Sequence, residues 1–513
     1  MTHVKALDGR NAVVFVVDQW VFERDIERGF LGEASVGTLV FPHTVLVGHT
    51  YLDAQETVLK KRLILELVEN LVIGFPELAE RLRIKPEYFM YEAILNRIRV
   101  FPPLASCAPA LMRNLEKGNT STLASYCEAL KQLKNEKKVI LSDNYVMIPK
   151  KFISKNDVNR VRLTNLSKNA PRRVFTSFFE LFPQLLNFFS KSTEKGFGFQ
   201  RLKLNNRNEQ SIPLVDPQKY IFLPTANGLV SLADRRGVED FARKVLLNNE
   251  EGQILLKPIG GVLNDVYLVE AISRRNKKRV LIKRFKDWSG IKWFPLSVWA
   301  LGAQTFAVLG RSRLEKEIAM SELLRKEGFD VPRVLHVNLS QRLVFMEYIE
   351  GEDLSSGLKR IADPRNKGGV MKEFAVITEV GEKLARVHSL EVTLGDTKPE
   401  NVIVDAAGKV YLLDFEQAST AGDKAWDVAE FLYYSGHFLS PMRAKINAKS
   451  IAEAFISGYL KAGGDPAVIK KASMPKYTRV FSIFTLPSVI LAISKACKDI
   501  DTTNSQDVVE KQN

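Results

Sequence analysis

Apolar positions along the chain follow two periods, and the change of period divides it. Over residues 1–55 the β-rich runs Ala12 to Val17 and Thr38 to Phe41 alternate with glycines, which predicts a small sheet with turns. From Glu56 to about Leu82 apolar residues recur at helical spacing, and Gly74 with Pro76 breaks that run into two helices. Another helix follows Pro86 and ends at Pro102 and Pro103. Helices between Leu111 and Lys134 then lead into two short apolar runs, Val139 to Leu141 and Tyr145 to Ile148. This helix-then-strand order predicts a mixed α/β, mainly helical module over residues 1–150, with a winged-helix-like arrangement at its end.

Residues 151–248 read as a connecting region. Arg160, Arg162, Arg172 and Arg173 precede an aromatic run from Phe175 to Phe189. Basic residues beside aromatics can grip single-stranded nucleic acid. The residues Phe178, Phe179, Leu181, Phe182, Leu185, Leu186 and Phe189 also fit one apolar helix face, interrupted near Pro183, and core packing is the better reading. Asn227 and Gly228, between Tyr220 to Leu223 and Leu229 to Leu232, predict a hairpin.

A second period, of strands first and helices later, begins at Asn248 to Gly252 and defines a domain over residues 249–500. Leu256 to Glu270 reads as strand, Gly260–Gly261 turn, strand. A Gly–Gly turn alone is more often only a turn, although it also lets backbone amides approach a phosphate. After the basic turn Arg274 to Arg279, the strand Val280 to Phe285 places Lys283 in an apolar stretch, where an ammonium needs an anionic partner. The next helix follows Gly310. Ser312 and Glu315 have capping-box spacing, which leaves Glu317, on the inward stripe with Leu314 and Ile318, as the partner of Lys283; Glu322 is the alternative. Strands are predicted after Val331 and from Arg342 to Ile349, and an amphipathic helix from Glu373 to Leu390.

Two apolar runs, Val402 to Val404 and Val410 to Leu413, then flank a glycine turn. Asp396, Lys398 and Asn401 precede the first and Asp414 closes the second, so a hairpin would gather two carboxylates and an amide at one edge. Such an edge suits a nucleotide with magnesium or manganese. Ala444 to Ala496 is helical and apolar, and residues 501–513 read as a disordered polar tail.

Composition narrows the setting. The 513 residues are 45% hydrophobic and 26% charged, an ordinary globular balance. A net charge of +15 implies attraction to polyanions, with RNA or an acidic partner meeting the basic N-terminal half. Cys107, Cys127 and Cys497 are too scattered for a disulfide framework or a zinc site, which points to a reducing, cytoplasmic setting. No positively charged start followed by an apolar run is found, so no signal peptide is expected. The uncharged stretch Trp293 to Gly310 is broken by Pro295 and Gly302, so no transmembrane segment is expected and a buried or partner-facing helical insert is the better reading.

From about residue 256 to 440 the ordered set Gly260, Gly261, Lys283, Glu317, Met346, Glu347, Tyr348, Asp396, Asn401 and Asp414 resembles the protein-kinase-like superfamily. It is most similar to atypical archaeal kinases akin to the RIO type and to the kinase subunit of the KEOPS complex. The resemblance implies an α+β fold, with a bilobal protein-kinase-like C-terminal domain beside the mixed N-terminal module. It also implies ATP as substrate, adenine bound by backbone near Met346 to Tyr348, and phosphates met by Gly260, Gly261 and Lys283. Magnesium would sit at Asn401 and Asp414, Asp396 would take the acceptor proton, and Lys398 would steady the transferring charge. Asp427, on the following helix, would support the catalytic loop.

Two departures stand out: Leu394 and Gly395 replace the usual His-Arg, and Glu416 replaces the glycine of Asp-Phe-Gly. Together with a short segment up to Asp427, they imply activity that is constitutive or set by a partner. The expected activity is ATP-dependent phosphorylation of serine or threonine in proteins, itself included. Alternatives are a small-molecule kinase, a partner-coupled ATPase, or an RNA-binding scaffold. Residues 37–103 also show a faint similarity to the accessory region of archaeal nucleotidyltransferases, without that family's catalytic signature.

Overall fold

Local capping decides the start of the first ordered element. The Asp18 carboxylate accepts hydrogen bonds from the Trp20 and Val21 amides and opens helix α1 (Gln19–Arg28), and Gly29, left-handed at φ 62°, closes it. The computed structural model describes residues 16–29, 36–100, 115–155, 216–260, 264–274, 276–287, 307, 309–363, 370–439, 444–482 and 485–500. Within them residues 37–40 form a 3-10 turn and the next helix begins at His49. Of the two runs expected to form a small sheet over residues 1–55, Thr38 to Phe41 falls in that 3-10 turn and the residue after it and not in a strand, and Ala12 to Val17 lies mostly outside the described residues. The basic and aromatic stretch 156–215, Gly261, most of the insert 293–310 and the tail 501–513 lie outside the described residues.

The chain divides into two compact units, residues 1–224 with 229–233, and residues 225–228 with 234–513. In the first, helix α2 (His49–Gly74) buries Leu59, Leu63, Ile64, Leu67, Val68, Leu71 and Val72. A lysine shares that face: the Lys60 ammonium donates to Glu56 at 2.5 Å and to Ser125 at 2.7 Å and lies 4.6 Å from the Tyr126 ring, so its burial is compensated. Strand β1 (Arg83–Ile84) and helix α3 (Pro86–Val100) follow, then α4 (Leu115–Asn135) and the hairpin β2 (Ile140–Ser142) and β3 (Tyr145–Met147). Strands β4 (Ile221–Thr225) and β5 (Gly228–Ser231), from the stretch read as a connector, complete a five-stranded sheet of order β2-β3-β1-β4-β5.

The second unit is bilobal. Its first lobe is an antiparallel sheet of β6 (Gly252–Gly260), β7 (Asn264–Ser273), β8 (Lys277–Phe285), β9 (Val334–Asn338) and β10 (Leu343–Glu347), in the order β6-β7-β8-β10-β9. One face packs Val269, Ala271, Val280, Ile282 and Phe345 under Phe241, Ala242 and Leu246. Helix α5 (Gly310–Lys326) joins β8 to β9 and buries Leu314, Ile318 and Leu324. Its N-cap position is Leu309, with no side-chain cap, so Ser312 and Glu315 already lie inside the helix and form no capping box. Glu315 instead accepts from Arg311, one turn back, at 3.0 Å.

The second lobe starts with β11 (Gly351–Asp353), helix α6 (Leu354–Ala362) and helix α7 (Val370–Ser389). The hairpin β12 (Val402–Asp405) and β13 (Val410–Leu412) pairs with β11 in a three-stranded sheet. Then come α8 (Lys424–Ser435), α9 (Ala444–Lys461), α10 (Pro466–Ala472), α11 (Pro475–Phe481) and α12 (Pro487–Lys498). Helices α7 and α9 meet backbone to backbone. A Cβ on Gly381 would strike the Phe455 carbonyl, and one on Gly458 would strike the Thr378 carbonyl. The core between the lobe's helices holds Trp426, Phe431, Phe455, Tyr459 and Phe481, each 1% exposed or less.

Candidate active site

Strand alternation and helix phase bring the charged residues together. Lys283, opposite Val344 on β10 and Val266 on β7, is buried on the sheet face opposite that of Ile282. Its ammonium lies 3.5 Å from Glu317 Oε1, one helical turn beyond Arg313 on α5, and 3.1 Å from Asp414 Oδ1. The other Glu317 oxygen accepts the Phe415 amide at 2.8 Å, so one carboxylate ties the helix both to the β8 lysine and to the segment after β13. Asp414 itself is left-handed, at φ 62°.

One lysine cannot neutralise three acids. Burial opposes charge on Lys283, but Asp414, Glu317 and Glu416 outweigh it and hold the ammonium protonated well above its ordinary range. Glu317 bears the cost. Its carboxyl is raised to about 7: burial pushes it up most, Lys283 pulls it down, and Asp414 and Glu416 push it up. Burial likewise raises Glu416, with Asp414 adding to it and Lys283 and Arg313 opposing. Two cations, Lys283 and Arg313, thus face three carboxylates, and the site carries an excess of negative charge.

Across the cleft, the loop before β12 is shaped by α8. Asp427, fully buried, accepts the Leu394 amide at 2.6 Å and the Gly395 amide at 2.8 Å, and lies 3.2 Å from His388 Nε2. The other ring nitrogen of His388 is 2.8 Å from the Tyr459 hydroxyl. One turn along α8, Glu430 accepts the Thr397 amide at 2.8 Å. The loop thus rests on two carboxylates of one helix face, with Asp396 and Lys398 carried between them. The Lys398 ammonium is 2.7 Å from Asp396 and 5.8 Å from the Tyr434 ring centre. Burial works against its charge, but Asp396 and Glu430 prevail and keep it protonated above the ordinary lysine range. Glu430 is raised well above the usual carboxylate range, by burial first and then by Asp396.

Asn401 and Asp414 reach the same edge through the hairpin register. Val402 pairs with Leu412, and the Leu413 amide donates to the Asn401 carbonyl at 2.9 Å. The Asn401 side-chain Nδ2 also donates to the Asp396 carbonyl at 2.9 Å, locking the turn between them. Among the described residues no group of three or more His, Cys, Asp or Glu forms an all-protein metal cage. One carboxylate and one amide oxygen beside excess negative charge fit a hard cation that keeps waters and phosphate oxygens as its other ligands.

Of the residues expected at adenine, Met346 is buried in the centre of the sheet, paired with Leu281 and Val334. The Glu347 amide is taken by the Arg333 carbonyl at 2.9 Å, and the Glu347 side chain pairs with Arg333 at 2.9 Å. Arg279 lies 5.8 Å from the Tyr348 ring. Gly260 ends β6, where the register with β7 shifts after Pro258, and Gly261 lies outside the described residues.

Sequence reasoning missed Arg313, Asn264, His388, Thr397 and Glu430. Glu430 was within reach, because it stands one turn from Asp427 on the same face. Arg313 and Asn264 carry no local signal, since their partners are 103 and 152 residues away from one or the other.

The sheet order, the lysine–glutamate link to a single helix and the helix-supported loop define a protein-kinase-like domain. Residues 268–459 match the model of the lipopolysaccharide kinase (Kdo/WaaP) family. This part of the chain is an atypical protein-kinase-like domain. The chain is 32% identical over 106 residues to the KEOPS complex subunit Bud32 of Pyrococcus abyssi, covering 20% of this chain and 44% of that protein. It is 22% identical over 170 residues to the EKC/KEOPS complex subunit bud32 of Dictyostelium discoideum, covering 32% and 64%. It is 26% identical over 145 residues to the probable serine/threonine-protein kinase PknB of Lactococcus lactis, covering 26% and 22%. The chain therefore spans less than two thirds of each of these relatives. The family match covers none of residues 37–103. Among the described residues no helix is long and apolar enough to cross a membrane.

Proposed function

We propose that the second unit is an ATP-dependent phosphotransferase that moves the γ-phosphoryl group to a hydroxyl, with serine or threonine of a protein as acceptor. The observation that carries this reading is the ion-paired set of Lys283, Glu317 and Asp414, the first two buried, joined to Asn401 and Asp396 through one hairpin. In the proposed reaction Lys283 binds the ATP phosphates, Glu317 holds Lys283 and α5 in place, and the backbone after Met346, at Glu347 and Tyr348, receives adenine. Gly260 and Gly261 would let backbone amides approach the phosphates. Asp396 orients the acceptor hydroxyl and takes its proton, and Lys398, kept charged, faces the phosphoryl group as it transfers. Magnesium or manganese, held by Asn401 and Asp414, would offset phosphate charge. Asp427 and Glu430 hold the loop that carries Asp396 and Lys398.

A second reading, a small-molecule acceptor, has its own support. After Asp414 the chain turns inward and Ser419 exchanges backbone hydrogen bonds with Thr393 at 2.9 Å, which leaves little platform for an extended peptide. The lipopolysaccharide kinase match agrees with this reading, while the PknB similarity favours protein. The Bud32 relatives are named as complex subunits, and we propose by analogy that a partner protein meets this chain. Contact of the basic N-terminal half with RNA or an acidic partner rests on charge alone, and the cytoplasmic setting rests on the scattered cysteines.

The test is labelled ATP with magnesium or manganese, following label on protein and free phosphate together. Label on protein that Lys283→Ala and Asp396→Ala both abolish supports the protein kinase. Free phosphate alone supports an ATPase or a missing small acceptor. ATP binding without turnover would overturn the catalytic reading.

A further inference from the structure

Glu416, in place of the glycine, is 3% exposed and so not a surface charge. Its Oε1 lies 3.0 Å from Arg313 Nη1 and its Oε2 accepts from Asn264 Nδ2 at 2.5 Å. Arg313, with no exposed surface, also donates to Asn264 Oδ1 at 3.0 Å and to the Lys286 carbonyl. The three side chains close a ring, and each comes from a different element: the start of β7, helix α5 and the segment after β13.

The neighbouring contacts extend the same fastening. The Gln417 side chain accepts the Ala307 amide at 2.8 Å and donates to the Ala307 carbonyl at 3.3 Å. The Gly310 amide donates to Asp287 at 2.9 Å, and Asp287 pairs with Arg342 of the first-lobe sheet at 2.6 Å. A Cβ on Gly310 would lie 2.8 Å from the Phe285 carbonyl oxygen, so only glycine lets α5 begin against the end of β8. Helix α5 is thereby tied at its first turns to the sheet and to the residues following Asp414. Glu317, one turn after Arg313, then has little freedom to leave Lys283.

In many kinases that arrangement is assembled only when an ordered, phosphorylated segment holds the helix and the metal-binding Asp in place. Here just twelve residues, 415–426, separate Asp414 from Asp427. We infer that Glu416, Arg313 and Asn264 are positioning residues, an internal latch that keeps Glu317 and Asp414 assembled without phosphorylation of the chain. This rests on the phosphotransferase reading above. The latch acts through Glu317 and Asp414 and touches neither nucleotide nor acceptor. Replacing glycine by glutamate thus gives the segment its own anchor, and the arginine that would have read a phosphate on the chain is not needed.

The experiment uses the full chain, treated with phosphatase and then freed of it. Turnover of labelled ATP is counted as label on protein plus free phosphate, with kcat expressed per nucleotide-binding site. Lys283→Ala and Asp414→Asn serve as controls; if turnover survives both, the phosphotransferase reading fails and takes the latch with it. With both controls dead, the dephosphorylated wild-type chain is expected to keep its full turnover, and a loss on dephosphorylation would overturn the latch. In Arg313→Met/Glu416→Leu no buried charge is left alone. It is expected to melt in urea near the wild type while kcat per site falls on the order of 100-fold, the size of effect that a small misplacement produces. A purely structural role would lower the melt or the number of binding sites and leave kcat per site unchanged, and that result would overturn the proposal. Should the double variant not fold, Glu416→Gln decides. A kcat loss of about tenfold or more with an unchanged melt supports the latch, and wild-type kcat refutes it.

Discussion

The two sides of the cleft solve the same problem differently. Each sets a lysine among carboxylates: Lys283, buried, with Glu317, Asp414 and Glu416, and Lys398, half-buried, with Asp396 and Glu430. The Lys398 group is built locally, one loop resting on one face of α8, and its supporting acids accept backbone amides from that loop. The Lys283 group draws on β8, α5 and the segment after β13, residues more than a hundred positions apart. Hydrogen bonds to amides define the first, whereas charge balance defines the second. A local scaffold is therefore sensitive to loss of an acceptor, and a dispersed one to proton loss.

Removing an acceptor should have the largest effect. Asp427→Ala leaves the Leu394 and Gly395 amides and His388 without their carboxylate, and a loss of about 3–5 kcal/mol is expected in urea unfolding. A loss under about 1 kcal/mol would mean that water or His388 replaces it, and the contrast between the two sides would collapse.

The dispersed cluster should instead answer to pH. The Glu317 carboxyl is raised from 4.5 to about 7, so between those values the folded state binds more protons than the unfolded chain. Stability is then greatest below about pH 4.5, as far as this group is concerned, falls as pH rises, and levels off above about 7. Lys283→Met removes the main influence pulling that value down. The decline should continue to higher pH and be larger in total in urea melts taken across the range. An unchanged profile would show that Glu317 is not the titrating group.

Glu430→Gln should cost less than Asp427→Ala, because burial already favours the protonated carboxyl at that position. A loss of about 1 kcal/mol is expected, shrinking as pH rises, because the wild type must then give up the proton that glutamine mimics. Equal losses for the two variants would show that the loop rests on Glu430 as a full anion. The smallest effect belongs to the rim: Arg333→Ala breaks a pair with Glu347 in which the arginine side chain is 56% exposed, and under about 1 kcal/mol should be lost.

The same contrast explains what the sequence made legible. The hairpin at Val402 to Leu412 was readable because apolar alternation around a glycine turn is a local signal. The placing of Asp396, Asn401 and Asp414 at one edge follows from that register. Lys283 and Glu317 were readable because a lysine inside an apolar strand needs an anion, and helix phase offers few. Arg313, Asn264 and the buried state of Glu416 were not, since each looks like an ordinary surface residue until three elements meet. The start of α5 was misplaced for a related reason. Gly310 begins the helix by fitting against the end of β8, a tertiary contact that the Ser312 and Glu315 spacing conceals. At the N-terminus the run Thr38 to Phe41 misled, since it falls in a short 3-10 turn and the residue after it, while Ala12 to Val17 lies mostly outside the described residues.

The left-handed backbone at Asp414 bears on the choice of an inert reagent. Asparagine is among the few residues that adopt that conformation readily, whereas alanine is strained there. Asp414→Asn should therefore keep the shape of the turn while losing the carboxylate charge. Immobilised, that variant is the form with which to fish for the acceptor, since whatever it retains has met the native cleft surface and has not been carried on to product.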